Sequence, residues 1–179
     1  MGIGAQLVTI VVDVANVMGS RPDGWWRDRA GAAVRLHAEI ARLAASGRAI
    51  LRDDSGEVGE PGDAGESGEA GESGENEAEQ ASMPGFVMVL EGAAKAAAAR
   101  LAPAEPDAQA EPDALQPVRP GEVRVVQAAG SGDDAIVAVV RQLPGRRVVV
   151  TADRELRERC VAAGAEIRGP GWLLGLLPG

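Results

Sequence analysis

The chain has 179 residues, 27 acidic against 18 basic side chains, one Cys, three Trp, one Phe and no Tyr. That length suits one domain, and with no apolar run near the ~20 residues of a membrane span an integral membrane protein is excluded. The first apolar run has no basic segment before it and closes at Asp13, Gln6 stands where a myristoylation motif needs Ser or Thr, and a lone Cys160 permits neither an intramolecular disulfide nor a zinc finger; a soluble cytoplasmic protein is expected.

In chain order, Gln6–Val12 is a short β-branched apolar run, as a buried parallel strand has. Arg29–Ser46 places Ala33, Leu36, His37, Ile40, Leu43 and Ala44 at helical spacing, with Gly47 at the expected helix end. Residues 53–81 then carry eleven acids and no base, and within them Gly recurs every third position from Gly56 to Gly74. Seven triplets with one Pro are too few for a triple helix, and so few apolar residues predict a disordered insertion. Phe86–Leu90 is a second expected strand, followed by an Ala-rich helix to about Leu101. Residues 102–121, with five prolines, four acids and one base, are expected to form a second disordered, extended insertion. Glu122–Ala128 is a third strand with helix Asp133–Leu143 behind it, and Arg147–Thr151 a fourth with helix Asp153–Ala163. Ala165–Arg168 is a short fifth strand before a Trp172–Leu177 turn. Strands alternating with helices predict an α/β three-layer sandwich on a mostly parallel sheet of four to five strands, one domain interrupted by two insertions.

The insertions distort the charge balance. Of the 27 acids and 18 bases, they hold fifteen acids and one base, which leaves twelve acids against seventeen bases and a net +5 on the remainder. The acidic pI therefore does not argue against a nucleic-acid partner.

In open parallel sheets, ligands bind beyond the carboxyl ends of the strands. The first strand ends in Asp13 with Asn16 three residues on, and the second in Glu91. The third leads through Gly130-Ser131-Gly132 to Asp133-Asp134, and the fourth ends Thr151-Ala152-Asp153. An acid before a helix is often only an N-cap, which is the plain alternative for Asp133 and Asp153. Convergence of all four acids on one edge points instead to a metal site. Crowded carboxylates repel, and a hard cation taking oxygen ligands, Mg²⁺ or Mn²⁺, relieves that repulsion.

Other phosphate chemistries fit less well. Ala15 stands where a haloacid-dehalogenase-type phosphatase needs its second Asp, and Ala15 and Val17 break an integrin-type metal motif. No Walker loop is present, and Asp133 breaks a dinucleotide fingerprint. Arg154–Glu158 matches part of a Nudix helix, but Arg146, Arg159 and Val161 stand where that box needs Glu, Glu and Gly.

Asp13-Val14-Ala15-Asn16, Gly132-Asp133-Asp134-Ala135-Ile136 and Val150-Thr151-Ala152-Asp153-Arg154 together resemble the motifs of the NYN family of PIN-like ribonucleases, in particular its YacP-like branch. The resemblance covers about 130 residues, everything outside the insertions. It implies a metal-dependent, usually endonucleolytic, RNA-cleaving site. Carried over, it makes Asp13, Asp133 and Asp153 metal ligands, with Glu91 as a further candidate, Asp134 assisting and Asn16 orienting Asp13 or a metal-bound water. Glu91 departs from many PIN-like sites, whose second acid lies on a helix.

RNA contact is expected from Arg21, Trp25, Trp26, Arg27 and Arg154, since paired indoles among arginines stack unpaired bases and bind phosphates. The alternative for Trp25-Trp26 is that one packs into the core and the other covers a helix end. His37 and Cys160 are assigned no catalytic role, and Trp172 with its Leu neighbours is expected to form a packing or oligomer contact, a homodimer in the latter case. Two further functions remain open at this point, a nucleotide pyrophosphohydrolase and a non-catalytic RNA-binding module.

Overall fold

The computed structural model describes residues 7–47, 50–51, 83–101 and 116–178. The first expected insertion, 53–81, lies outside the described residues, as do residues 102–115 of the second.

Five strands, β1 (Val8–Asp13), β2 (Gly85–Leu90), β3 (Val123–Gln127), β4 (Arg146–Val150) and β5 (Glu166–Arg168), form one sheet in the order β3-β2-β1-β4-β5. Every pairing is parallel, so all five carboxyl ends lie on one edge. All six residues of β1 and of β2 are buried, which is why, apart from Thr9, the closing Asp13 and Gly85, those strands consist of Val, Ile, Leu, Phe and Met.

Alternate side chains feed two separate cores. Ile10, Val12, Phe86, Met88, Leu90, Val148 and Val150 face α1 (Val14–Gly19), α2 (Arg29–Ala45), a 3-10 stretch at Gly92–Ala97, α3 (Ala98–Leu101) and α6 (Pro170–Leu176). Val11, Val87, Val89 and Val149 face α4 (Gly132–Gln142) and α5 (Arg154–Ala162). The result is the expected three-layer α/β sandwich, with its sheet parallel throughout. No described helix is long and apolar enough to cross a membrane.

The expected Trp172–Leu177 turn is the helix α6, and the structure departs from the sequence expectations in three further places. Residues 14–19 form a helix that no periodicity suggested, because six residues are too few to show one; its signal is the cap, Asp13, whose Oδ1 accepts from the Asn16 backbone N–H at 3.1 Å. The Ala-rich segment after β2 is mostly 3-10, and only its last four residues are α-helical. The tail of the second insertion is packed rather than loose: Val118 is buried over β2, and Arg119–Glu122 closes a turn whose Glu122 carbonyl accepts from Phe86 N–H at 2.8 Å. Gly85 makes that docking fit, since a Cβ there would lie 2.6 Å from Val118 Cγ1 and 2.8 Å from the Arg119 carbonyl oxygen.

Cys160 is buried against α4, and burial pushes its thiol up to about 11, so it is a packing residue rather than a nucleophile. Leu173 is fully buried and Trp172 packs on the same core, which gives α6 a packing role. Ahead of β4, Gly145 has φ 76° and a Cβ there would sit 2.3 Å from the Leu7 carbonyl oxygen, whose partner is Arg146 N–H at 2.9 Å. Gly145→Ala is expected to cost at least about 1–3 kcal/mol through backbone strain alone. A denaturant melt matching the parent would refute this close approach.

Candidate active site: a carboxylate edge above the sheet

The central strand sets the site. Asp13 closes β1 with only 6% of its surface exposed, yet it carries a carboxylate. Three donors hold it: Asn16 N–H on Oδ1, and on Oδ2 the Asn16 side-chain amide at 2.9 Å and the Thr151 hydroxyl at 2.8 Å. Burial raises its pKa above the ordinary 3.8 against the pull of those three bonds, and the charge of Glu91 raises it further. A raised folded-state pKa means the native state holds this proton more tightly than the unfolded chain does. The group therefore favours folding at low pH, and that contribution is lost as pH climbs from 3.8 through the folded value.

Asn16 and Thr151 are a relay rather than isolated contacts. Asn16 Oδ1 accepts from Ala152 N–H at 3.3 Å, and Thr151 Oγ accepts from Asp153 N–H at 3.1 Å. The ends of β1 and β4 are thus tied by side chains as well as by the sheet. Thr151 went unassigned in the sequence; its signal was a polar residue ending the buried run Val148–Val150, a place where a hydroxyl needs a partner. Thr151→Val should leave a buried carboxylate short of a donor at a cost of about 1–3 kcal/mol, read as a fall in the urea midpoint.

The other acids surround this centre. Asp133, in the first turn of α4, has its carboxyl pKa raised first by burial and then by the charges of Asp153, Asp13 and Glu91, while Arg159 opposes them. Four carboxylates delivered by four strand ends thus share one electric field. Asp153 caps α5, its Oδ1 accepting from Leu156 N–H at 2.8 Å, as the plain N-cap alternative expects. Glu91 is half-buried and turns its Oε2 to Gly132 N–H at 2.9 Å, tying the end of β2 to the start of α4. Gly132 leaves room for that bond, since a Cβ would fall 2.2 Å from the same oxygen. Asp134 points elsewhere, paired with Arg159 at 2.5 Å.

In its chemistry alone this donor set is of the kind a hard divalent cation takes, since it offers oxygen ligands only. Among the described residues, no three His, Cys, Asp or Glu side chains are gathered as a ligand group. The carboxylates share an edge and a field without forming a closed cage.

The residues expected to touch RNA are sorted by the structure. Arg21 is committed to Glu39 of α2 through both guanidinium nitrogens. Arg154 is almost fully exposed on α5 and reaches Glu158 at 3.3 Å. Trp25 is partly buried against the core below α1, whereas Trp26 is 56% exposed. Trp25 thus packs on the core as the plain alternative has it, while Trp26 leaves its ring open.

No protein-family model matches the sequence, and no curated protein matches it. Among solved structures, the chain is similar to the crystal structure of a point mutant of Rae1 (YacP) from Bacillus subtilis, with a TM-score of 0.50. Identity is 12%, and the match covers 95% of this chain and 75% of that one. The two share a fold.

Proposed function

We propose that this chain is a metal-dependent ribonuclease that hydrolyses RNA phosphodiester bonds at the carboxylate edge, using Mg²⁺ or Mn²⁺. The observation that carries this is Asp13: a carboxylate kept in the protein interior, oriented by Thr151 and Asn16, with the charge of Glu91 acting on it and those of Asp13, Asp153 and Glu91 acting on Asp133. Capping alone could be served by a neutral Asn or Ser without that repulsion. The fold shared with the YacP structure supports the same conclusion as the motif resemblance.

Asp13, Asp133 and Asp153 would hold the cation, with Glu91 as a fourth oxygen donor. When bound, such an ion supplies Lewis acidity, activating water and neutralising charge on the phosphodiester. Asn16 and Thr151 keep the Asp13 carboxylate aimed at the edge by occupying three of its roughly four acceptor positions. With the ion in place, the edge can accept a phosphate that its bare acids would repel.

The test is incubation of the purified protein with end-labelled RNA, with Mn²⁺ and with a chelator. Cleavage only with the metal supports the reading; intact RNA under both conditions overturns it. A nucleoside triphosphate in the same tubes separates this from pyrophosphate hydrolysis.

A further inference from the structure

We propose that the turn formed by Trp25, Trp26 and Arg27 is a docking platform for one unpaired base of a single-stranded nucleic acid, which makes unpaired RNA the substrate class of the site; this rests on the ribonuclease reading above.

Trp26 is exposed over more than half its surface while its neighbour Trp25 is partly buried and packs on the core. The two indoles meet edge to face, ring centres 6.3 Å apart and planes at 87°, so Trp25 acts as a bracket that orients the free ring. The backbone is fixed on both sides. Asp23 accepts from Trp25 N–H at 3.1 Å, and Gly24 supplies the left-handed φ of 74° that starts the turn. Asp28 caps α2 by accepting from Gly31 N–H at 2.8 Å. An aromatic ring held this way loses little further freedom on stacking.

Charge supports the same conclusion. Asp23 and Asp28 are spent on backbone N–H groups and Glu39 on Arg21. Arg27 lies over the Trp26 ring at 5.9 Å and Arg29 over the Trp25 ring at 5.3 Å, and neither forms an ion pair among the described residues. One guanidinium beside the open indole and a second beside its neighbour match a base with its flanking phosphates.

The platform is also near the carboxylate edge. Trp25 packs at the end of α1, its Cζ2 lying 3.7 Å from where a Gly19 Cβ would be, and α1 starts directly after Asp13. Six helical residues span about 9 Å, and with the 3.7 Å on to Trp25 and the 6.3 Å between the rings the longest path to Trp26 is about 19 Å, or roughly five to six stacked nucleotides at about 3.4 Å each. A strand whose base rests on Trp26 thus reaches the acids within that span. A duplex keeps its bases stacked on one another and offers none to the indole.

The test is fluorescence anisotropy of a short labelled single-stranded RNA, and of the same sequence annealed into a duplex, with a chelator present so that nothing is cleaved. Trp26→Ala should weaken single-strand binding by about 5- to 100-fold with an unchanged melting temperature. Trp26→Phe should recover most of that affinity, and duplex binding should be equal in all three proteins. The double variant Arg27→Ala, Arg29→Ala should flatten the salt dependence by about 0.7 per charge removed. Several results would overturn the platform: wild-type protein that ignores single strands, Trp26→Ala binding like wild type, or equal losses on duplex. So would a Trp26→Ala protein whose only change is the loss of self-association in sedimentation. Trp26-dependent binding without Mn²⁺-dependent cleavage would sink the nuclease reading and leave the platform standing; cleavage with Trp26-independent binding would do the reverse.

Discussion

Asp13→Asn is expected to lower Mn²⁺-dependent RNA cleavage by more than about 100-fold while the protein stays folded. Loss of an outer partner of a metal ligand already costs about 10- to 100-fold, and Asp13 is assigned to the inner set. The fold should survive because two changes oppose each other. An amide cannot accept from all three donors now on the carboxylate, and one mismatched bond costs about 1–3 kcal/mol. Against that, the variant no longer buries a charge beside Glu91. Melting curves distinguish the site from the scaffold: Mn²⁺ should raise the midpoint of the parent by selective binding to the folded state, and raise that of Asp13→Asn much less. Equal cleavage by the two proteins would remove Asp13 from the chemistry.

Phe86→Ala is expected to give the largest stability loss of any single truncation, about 3–5 kcal/mol, against a total near 5–15 kcal/mol for a domain of ordinary stability. Phe86 is the chain's sole Phe and is fully buried. It stands in β2 beside Ile10 of β1 and Val123 of β3, on the face covered by α2. Its neighbours on that face are Met, Ile, Leu and Val, and none can swing across to fill a ring-sized void while β2 is held on both sides. Urea unfolding followed by circular dichroism measures the loss. A midpoint within the error of the parent would mean that this core collapses around the gap.

The strands and long helices were legible because burial leaves its period in the sequence. Thr9 and the closing Asp13 aside, Val8–Asp13 and Gly85–Leu90 are apolar runs, and α2 repeats its apolar residues every three to four positions. The acids Asp13, Asp133, Asp153 and Glu91 could be placed on one edge once the strands were taken as parallel. Illegible were the contacts between residues distant in the chain. Thr151 on Asp13, Glu91 on Gly132 N–H, Arg21 with Glu39 and Arg159 with Asp134 have separations from 18 to 138 residues and no local pattern. Those contacts separate the arginines already occupied from those free to meet a ligand, so the sequence named Arg21 and Arg27 alike where the structure divides them.

The bond from Thr151 to Asp13 spans 138 residues, and β1 cannot be flanked on its second side until β4 exists. At translation rates of about 5–20 residues per second, a ribosome needs roughly 7 to 28 s to make the stretch between the two. Throughout that interval the nascent chain carries Asp13 without its hydroxyl partner and without Asp153, and Asp133 is added only 18 residues before Thr151. On the ribonuclease reading proposed above, the chain would therefore stay inert beside the message that encodes it until most of its polypeptide has emerged.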